Sequence, residues 1–275
     1  MPMINLPTGN IHYRDAGSGE PLLLLSANPG DSRDFAAVLP ELARHFRVIA
    51  PDWPGYGRST PAVAAEAIST GYFATVLRQL VEALGLPPVR IIGNSVGGNV
   101  AVRLAAECPE RVKALVLVAP GGFTGQNLFT RAFCRWQGSR LSLPPKVFAS
   151  LYLRRRTAVV RDMLDRAATE QASSSALAVN RAVWRSFGDP DNDVREIAGR
   201  IAAPATLVFG RYDPVISPWT DGRSARRCLP EAVWSVLPCG HAAFAEMPEA
   251  FLETVSGFLM DPARCAPASG SGVPG

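Results

Sequence analysis

Lysine is almost missing from this 275-residue chain: Lys113 and Lys146 are the only two, so arginine carries nearly all of the positive charge. With abundant alanine, glycine and proline, that is the composition of GC-rich, bacterial coding, and a net charge of +4 is no argument for nucleic acid. No basic run is interleaved with aromatics and no zinc-finger or RNA-binding signature occurs, so nucleic acid is not an expected partner. Cysteine is scarce too. The five (Cys108, Cys134, Cys228, Cys239, Cys265) are odd in number and lack C-x-x-C spacing. That argues against a disulfide framework or a zinc site and for reduced thiols; no metal and no cofactor is expected. No apolar run approaches the roughly 18 residues of a membrane span, and Met1 to Glu20 lacks the basic start and apolar stretch of a secretory signal. A membrane is therefore not an expected partner. Charged residues make up 19% against 47% hydrophobic, which excludes a wholly disordered chain. Together these absences imply a soluble, cytoplasmic, globular protein, of a length that fits one large domain or one domain with an insertion.

What is present alternates. Ile11 to Asp15 reads as a strand, and Pro21 to Ser26 is a continuous apolar run, as a strand buried on both faces requires. Asp31 to Phe46 reads as a helix, Arg47 to Ala50 as a strand, Ser69 to Leu84 as a helix, Val89 to Gly93 as a strand, Val96 to Cys108 as a helix and Ala114 to Val118 as a strand. From Thr124 to about Arg200 no strand-like run occurs. Three or four helical segments stand there instead, split by Leu143-Pro144-Pro145 and Gly188-Asp189-Pro190. Alternation resumes with the strand Ala205 to Gly210, a helix near Trp219 to Cys228, the strand Ala232 to Leu237 and a helix from Pro248 to Met260; a mobile tail is expected from Pro262. Repeated strand–helix alternation means an α/β fold, with a mostly parallel sheet covered on both faces. A helical block inserted after one strand reads as a cap over the strands' C-terminal ends, where open α/β sheets bind ligands. The expected division is a discontinuous core of residues 1–123 and 200–261, a cap of 124–199 and a tail of 262–275.

The string Gly93-Asn94-Ser95-Val96-Gly97-Gly98 follows one strand and opens the next helix. It matches G-x-S-x-G in the strand–turn–helix setting that presents a serine hydroxyl above a sheet. The glycines allow the close passage of helix and strand, and the helix N-terminus aims free N–H groups at developing negative charge. A serine hydroxyl needs a base. Of the three histidines, His12 lies on an early strand and His45 near a helix end, both read as structural, whereas His241 follows the strand Ala232 to Leu237. Asp213 follows the strand Ala205 to Gly210 and is the candidate acid to fix the histidine's tautomer.

On these residues the chain resembles the α/β-hydrolase fold family in its cap-bearing branch, over about residues 10 to 260, with an eight-stranded-type sheet implied. Ser95 matches the family's nucleophile, Asp213 its acid and His241 its base. Asp52-Trp53-Pro54-Gly55-Tyr56-Gly57-Arg58-Ser59 resembles its D-x-x-G-x-G-x-S loop, and Gly240-His241 through Glu246-Met247-Pro248 its G-H-x-x-x-x-E-x-P motif. One string departs. Where the family usually carries His-Gly, this chain has Ser26-Ala27, followed by Asn28-Pro29-Gly30-Asp31. By that alignment the oxyanion hole is the backbone N–H of Asn28 and of Val96, with the Asn28 amide as a further donor; Asn28 also reads as a turn former before Pro29.

Between Thr124 and Ser186 stand eleven basic and three acidic residues, a net +8. This reads as a solvated helical lid or as a surface favouring an anionic substrate or an acidic carrier protein. Phe123, Phe129, Phe133, Trp136, Phe148 and Trp184 are candidates both for cap core and for lining an acyl or aromatic pocket. The resemblance implies a serine hydrolase that cleaves a small-molecule carboxylic ester, lactone or thioester through an acyl-enzyme. The alternatives are a carbon–carbon bond hydrolase of ring-cleavage diketones, and a cyclase or ligand-binding protein on the same fold. Asn94 before the serine and Pro120-Gly121-Gly122 fit the carbon–carbon branch; Ala242, where that branch usually has tryptophan, does not.

Overall fold

The computed structural model describes residues 2–262, without the side chains of residues 170–172; beyond Pro262 the expected tail lies outside the described residues. Nine strands form one sheet: β1 (Met3–Leu6), β2 (Gly9–Ala16), β3 (Pro21–Leu25), β4 (Arg47–Pro51), β5 (Thr60–Pro61), β6 (Val89–Asn94), β7 (Val112–Val118), β8 (Ala205–Gly210) and β9 (Val233–Leu237). Their order is β1-β2-β4-β3-β6-β7-β8-β9, with the short β5 beside β2. Pairing is parallel from β4 through β9 along that path and antiparallel around β2.

The apolar runs are continuous because both faces of the sheet are covered. Leu23, Leu25, Ile49, Ile91, Leu115, Leu117, Leu207 and Phe209 enter one core. Their alternating neighbours Leu22, Leu24, Val48, Ile92, Val116, Val118 and Val208 enter the other. The helices between and after the strands are α1 (Leu39–Leu42), α2 (Thr70–Ala83), α3 (Val96–Glu107), α4 (Leu128–Gln137), α5 (Pro145–Tyr152), α6 (Ala158–Ala172), α7 (Ser174–Phe187), α8 (Arg195–Ala198), α9 (Arg223–Cys228), α10 (Ala243–Glu246) and α11 (Pro248–Met260). No helix among the described residues is long and apolar enough to cross a membrane.

One expectation is corrected, and two strands add to those expected. Asp31 to Phe46 is not one helix: a 3-10 turn (Ser32–Phe35) is followed only by the single turn α1. Pro40 explains the break, because proline can open a helix but cannot donate within one. The strands β1 and β5 were not anticipated. β1 is largely exposed and owes its form to the antiparallel register Met3↔His12 through Leu6↔Gly9, a non-local pairing without a local apolar signature.

The four helices α4 to α7 lie between β7 and β8 and are fastened to the rest of the chain at several points. Ser186 Oγ on α7 accepts the backbone N–H of Thr70 at 3.2 Å. On α6, Arg166 donates to Asp31 Oδ2 at 3.0 Å and to Asp34 Oδ1 at 2.6 Å, both carboxylates being fully buried.

Candidate active site

Every parallel strand ends toward one edge of the sheet, and the candidate residues sit in the loops that leave that edge. Ser95 has φ 55 and ψ −116, a backbone conformation that costs a non-glycine residue about 1–3 kcal/mol. The turn is held by Ser95 N–H to Val118 O at 3.1 Å, and by the N–H groups of Asn99 and Gly121 to Ser95 O at 3.0 and 2.8 Å. A side chain at Gly93 would meet Gly97 O at 2.6 Å, and one at Gly97 would run into the Leu25 carbonyl. The glycines of the motif are thus dictated by the packing of α3 across β6 and β3.

Asp213 and His241 come together. His241 Nδ1 lies 2.6 Å from Asp213 Oδ2, and both side chains are buried. The other carboxylate oxygen, Oδ1, accepts from Val215 N and Ile216 N at 2.8 and 3.2 Å. A carboxylate only accepts, so Nδ1 carries the proton and Nε2 is left as the basic nitrogen. Burial, the largest influence, favours the neutral imidazole; the charge of Asp213, its hydrogen bond and the charge of Glu246 outweigh it and raise the His241 pKa above its ordinary 6.5. Asn94 bridges this histidine to the serine turn, its Nδ2 donating to Val118 O at 3.0 Å and to His241 O at 3.1 Å.

The motif glutamate has a specific task. Glu246 Oε2 accepts from Gly240 N at 2.9 Å, Arg154 N at 2.8 Å and Arg155 N at 3.0 Å, and Oε1 accepts from Ala242 N at 3.2 Å. One buried carboxylate therefore clamps both neighbours of His241 and the chain leaving α5.

Around Asn28 the usual His-Gly is missing, and other groups brace the loop. Trp53 Nε1 donates to Ser26 O at 2.9 Å. Tyr56 Oη donates to Asn28 Oδ1 at 2.5 Å. Asp52 accepts from Ser32 N and Arg58 N at 2.9 and 3.0 Å and pairs with His12 Nδ1 at 2.8 Å. The D-x-x-G-x-G-x-S loop thus holds the Asn28 segment, and His12 belongs to that bracing. His45 lies at the surface, with Nε2 3.7 Å from Glu41 Oε1. Asn28 is buried, and its Nδ2 meets no acceptor. Below the loop, burial pushes the Asp34 carboxyl up to about 7 against the pull of Arg166.

Ser95, Val96, Asn28 and His241 all line one cavity of about 600 Å³ under α4, α5 and α7. Of the aromatic candidates, Phe129, Phe133, Phe148 and Trp184 line it as well. Phe123 does not: it is buried in the core, among residues of α3 and the sheet. Trp136 does not either, because it sits on the outer side of α4 and is 41% exposed. The apolar wall also includes Leu151, Tyr152, Phe187 and Ile216, which sequence reasoning missed. The i, i+3, i+4 spacing of Phe148, Leu151 and Tyr152 on α5 is the available signal. Arg166, Asp31 and Asp34 were also missed, since nothing local joins residues more than 130 positions apart.

Among known proteins, the chain is 30% identical over 272 residues to the 2-hydroxy-6-oxo-6-phenylhexa-2,4-dienoate hydrolase of Burkholderia cepacia, covering 90% of this chain and 91% of that one. It is 32% identical over 270 residues to the 2-hydroxy-6-oxononadienedioate/2-hydroxy-6-oxononatrienedioate hydrolase 1 of Dechloromonas aromatica (strain RCB), covering 90% of each. The structure of the enol-lactonase from Burkholderia xenovorans LB400 superposes with a TM-score of 0.77 at 21% identity, covering 94% of this chain and all of that one, a likeness of fold. Residues 20–248 match the sequence model of the alpha/beta hydrolase fold, and with the sheet order and the strained serine turn this makes the chain a member of the alpha/beta hydrolase fold family.

Proposed function

We propose that the protein is a serine hydrolase that cleaves a carboxylic ester, lactone or thioester through an acyl-enzyme on Ser95. The observation that carries this is a strained, half-buried serine sharing a largely apolar cavity with a histidine whose Nδ1 is fixed by a buried aspartate. Ser95 Oγ attacks the acyl carbon as His241 Nε2 takes its proton. The backbone N–H groups of Asn28 and Val96 receive the oxyanion. The alcohol leaves with the proton from His241. Water then adds to the acyl-enzyme, giving a proton to His241, and the acid departs as Ser95 regains it. Two measurements test this reading: p-nitrophenol release from short and medium acyl esters, and covalent labelling of Ser95 by a fluorophosphonate. Folded protein that neither turns over any ester nor takes the label would make it untenable.

A second reading, carbon–carbon hydrolysis of ring-cleavage diketones, is supported by the activities named for the two relatives above. The amide nitrogen of Asn94 is engaged by Val118 O and His241 O, so Asn94 has a structural reason independent of that chemistry. Turnover of a vinylogous diketone at a higher kcat/KM than any ester would decide for this second reading.

Two expectations follow for the site. The Nδ2 of Asn28, buried and without an acceptor beside Ser95, is a further donor to the oxyanion, oriented by Tyr56. Tyr56→Phe removes the hydroxyl that holds it, and an oriented donor in such a hole is worth about 3 kcal/mol when lost outright. We expect kcat to fall roughly tenfold or more with KM nearly unchanged; an unchanged kcat would remove Asn28 Nδ2 from the hole. The acid limb of kcat/KM should have its midpoint above 6.5, because catalysis needs neutral His241 and its pKa is raised. The same raised pKa makes His241 contribute stability below 6.5 that is lost as pH rises through the raised value. Acid inactivation in this range should therefore be reversible, and a pH profile with parallel thermal melts checks both.

A further inference from the structure

The cavity opens between α4 and α5, and the surface around its mouth is apolar. Phe129 and Leu151 line the cavity yet are 80% and 48% exposed. Leu128 on α4, Leu141 in the following loop and Val147 on α5 are 85%, 81% and 47% exposed, and Trp136 lies two turns along α4 from Leu128. Leu128 and Trp136 fall on one stripe of α4, Val147 and Leu151 on one stripe of α5. Singly exposed apolar residues are ordinary, but six on two successive helices and the loop that joins them, two of them lining the cavity, mark a surface that meets something.

The charges say what. Residues 124–161 hold eight basic side chains and no acidic one. Arg135, Arg140, Lys146 and Arg154 are exposed among the apolar tips, with Lys146 3.5 Å from Asp165 of α6. A second copy of the chain is disfavoured on this face, because a two-fold interface would set this basic face against itself. An acidic carrier protein would answer the arginines but not six protruding apolar side chains. Apolar tips in a basic ring are what a segment lying in an anionic lipid surface presents: the tips enter the acyl boundary and the arginines meet the head groups. We propose that α4, the loop after it and α5 dock the protein on an anionic lipid–water interface, with the cavity mouth facing the lipid. The proposal departs from the expectation that no membrane is a partner; it concerns a surface, not a span. It goes beyond the hydrolase reading and does not depend on it.

The test is co-sedimentation of the full chain, as Ser95→Ala so that no lipid is consumed, with vesicles of phosphatidylglycerol and phosphatidylcholine. We expect binding to the anionic mixture, weakened but not abolished by salt, and little binding to phosphatidylcholine alone. The double substitution Leu128→Asp with Leu141→Asp, at positions that do not line the cavity, should raise the lipid concentration for half-binding at least tenfold. Arg135→Glu with Arg140→Glu should do so for the anionic vesicles. Thermal melts matched to the unsubstituted protein keep the comparison among folded molecules. Protein that stays in the supernatant with anionic vesicles overturns the proposal, as does an Asp double variant that binds like the parent. It is overturned equally if light scattering finds a dimer that the Asp variant dissociates, or if an acidic carrier protein binds at this face while vesicles do not. Vesicle binding is read without turnover, so its failure and that of the ester reading remain separate results.

Discussion

Ser95→Ala should lower kcat on an activated ester by roughly a millionfold, the scale seen when a triad serine is removed. The size follows from the absence of a substitute. Cys134 lines the same cavity, but burial first and Asp189 second push its thiol up to about 11, so it is almost wholly protonated near neutrality. Asp213 orients the imidazole that shares the cavity with Ser95, and Asn94 ties the backbone carbonyl of His241 to the serine turn. Alanine leaves the positive φ of the turn as strained as serine does, and the turn's backbone bonds to Val118, Asn99 and Gly121 do not involve the hydroxyl. The thermal midpoint should therefore stay close to the parent's. A loss of only about a hundredfold would mean that the rate is carried by positioning and the oxyanion donors, not by an acyl-enzyme.

The second large effect is on stability. Glu246→Ala should cost about 3–5 kcal/mol, in the range reserved for stranding buried polar groups. Four backbone N–H groups, those of Gly240, Ala242, Arg154 and Arg155, converge on this carboxylate, which is 2% exposed. Each one left unpaired away from water costs about 1–3 kcal/mol, less what water entering the new space recovers. Activity should fall with stability, because Gly240 and Ala242 flank His241. Glu246→Gln is the informative partner. Its carbonyl can replace Oε2 for three of the donors, and only Ala242 N then faces an amide NH₂, so a smaller loss is expected. Denaturant unfolding of the two variants gives the comparison; equal losses would show that the negative charge, not the acceptor geometry, holds the loop.

Much of the site was legible in the sequence because its signals are local. Gly93 to Gly98 sits between a strand and a helix whose patterns are unambiguous, and Ala205–Gly210 and Pro248–Met260 have the bounds that their apolar runs and their proline imply. What was illegible is what depends on distant partners. The edge strand β1 exists through β2. The bracing of Asn28 comes from Trp53 and Tyr56, inside a motif whose role in holding a different loop no spacing reveals. The aromatic candidates divide on geometry alone: Phe133 faces inward on α4, whereas Trp136, one turn on, faces out, and Phe123 is taken by the core before the helices begin.

The fastenings of α5, α6 and α7 bear on how molecules come and go. Swinging the four helices away as one body would tear Arg166 from two buried carboxylates, Ser186 from Thr70, and the Glu246 clamp from residues 154 and 155. Stranding those carboxylates alone costs several kcal/mol. The cavity is therefore reached past α4, the helix those fastenings leave out, where Phe129 is exposed at the lining and Phe133 packs behind it against Phe148 and Trp184.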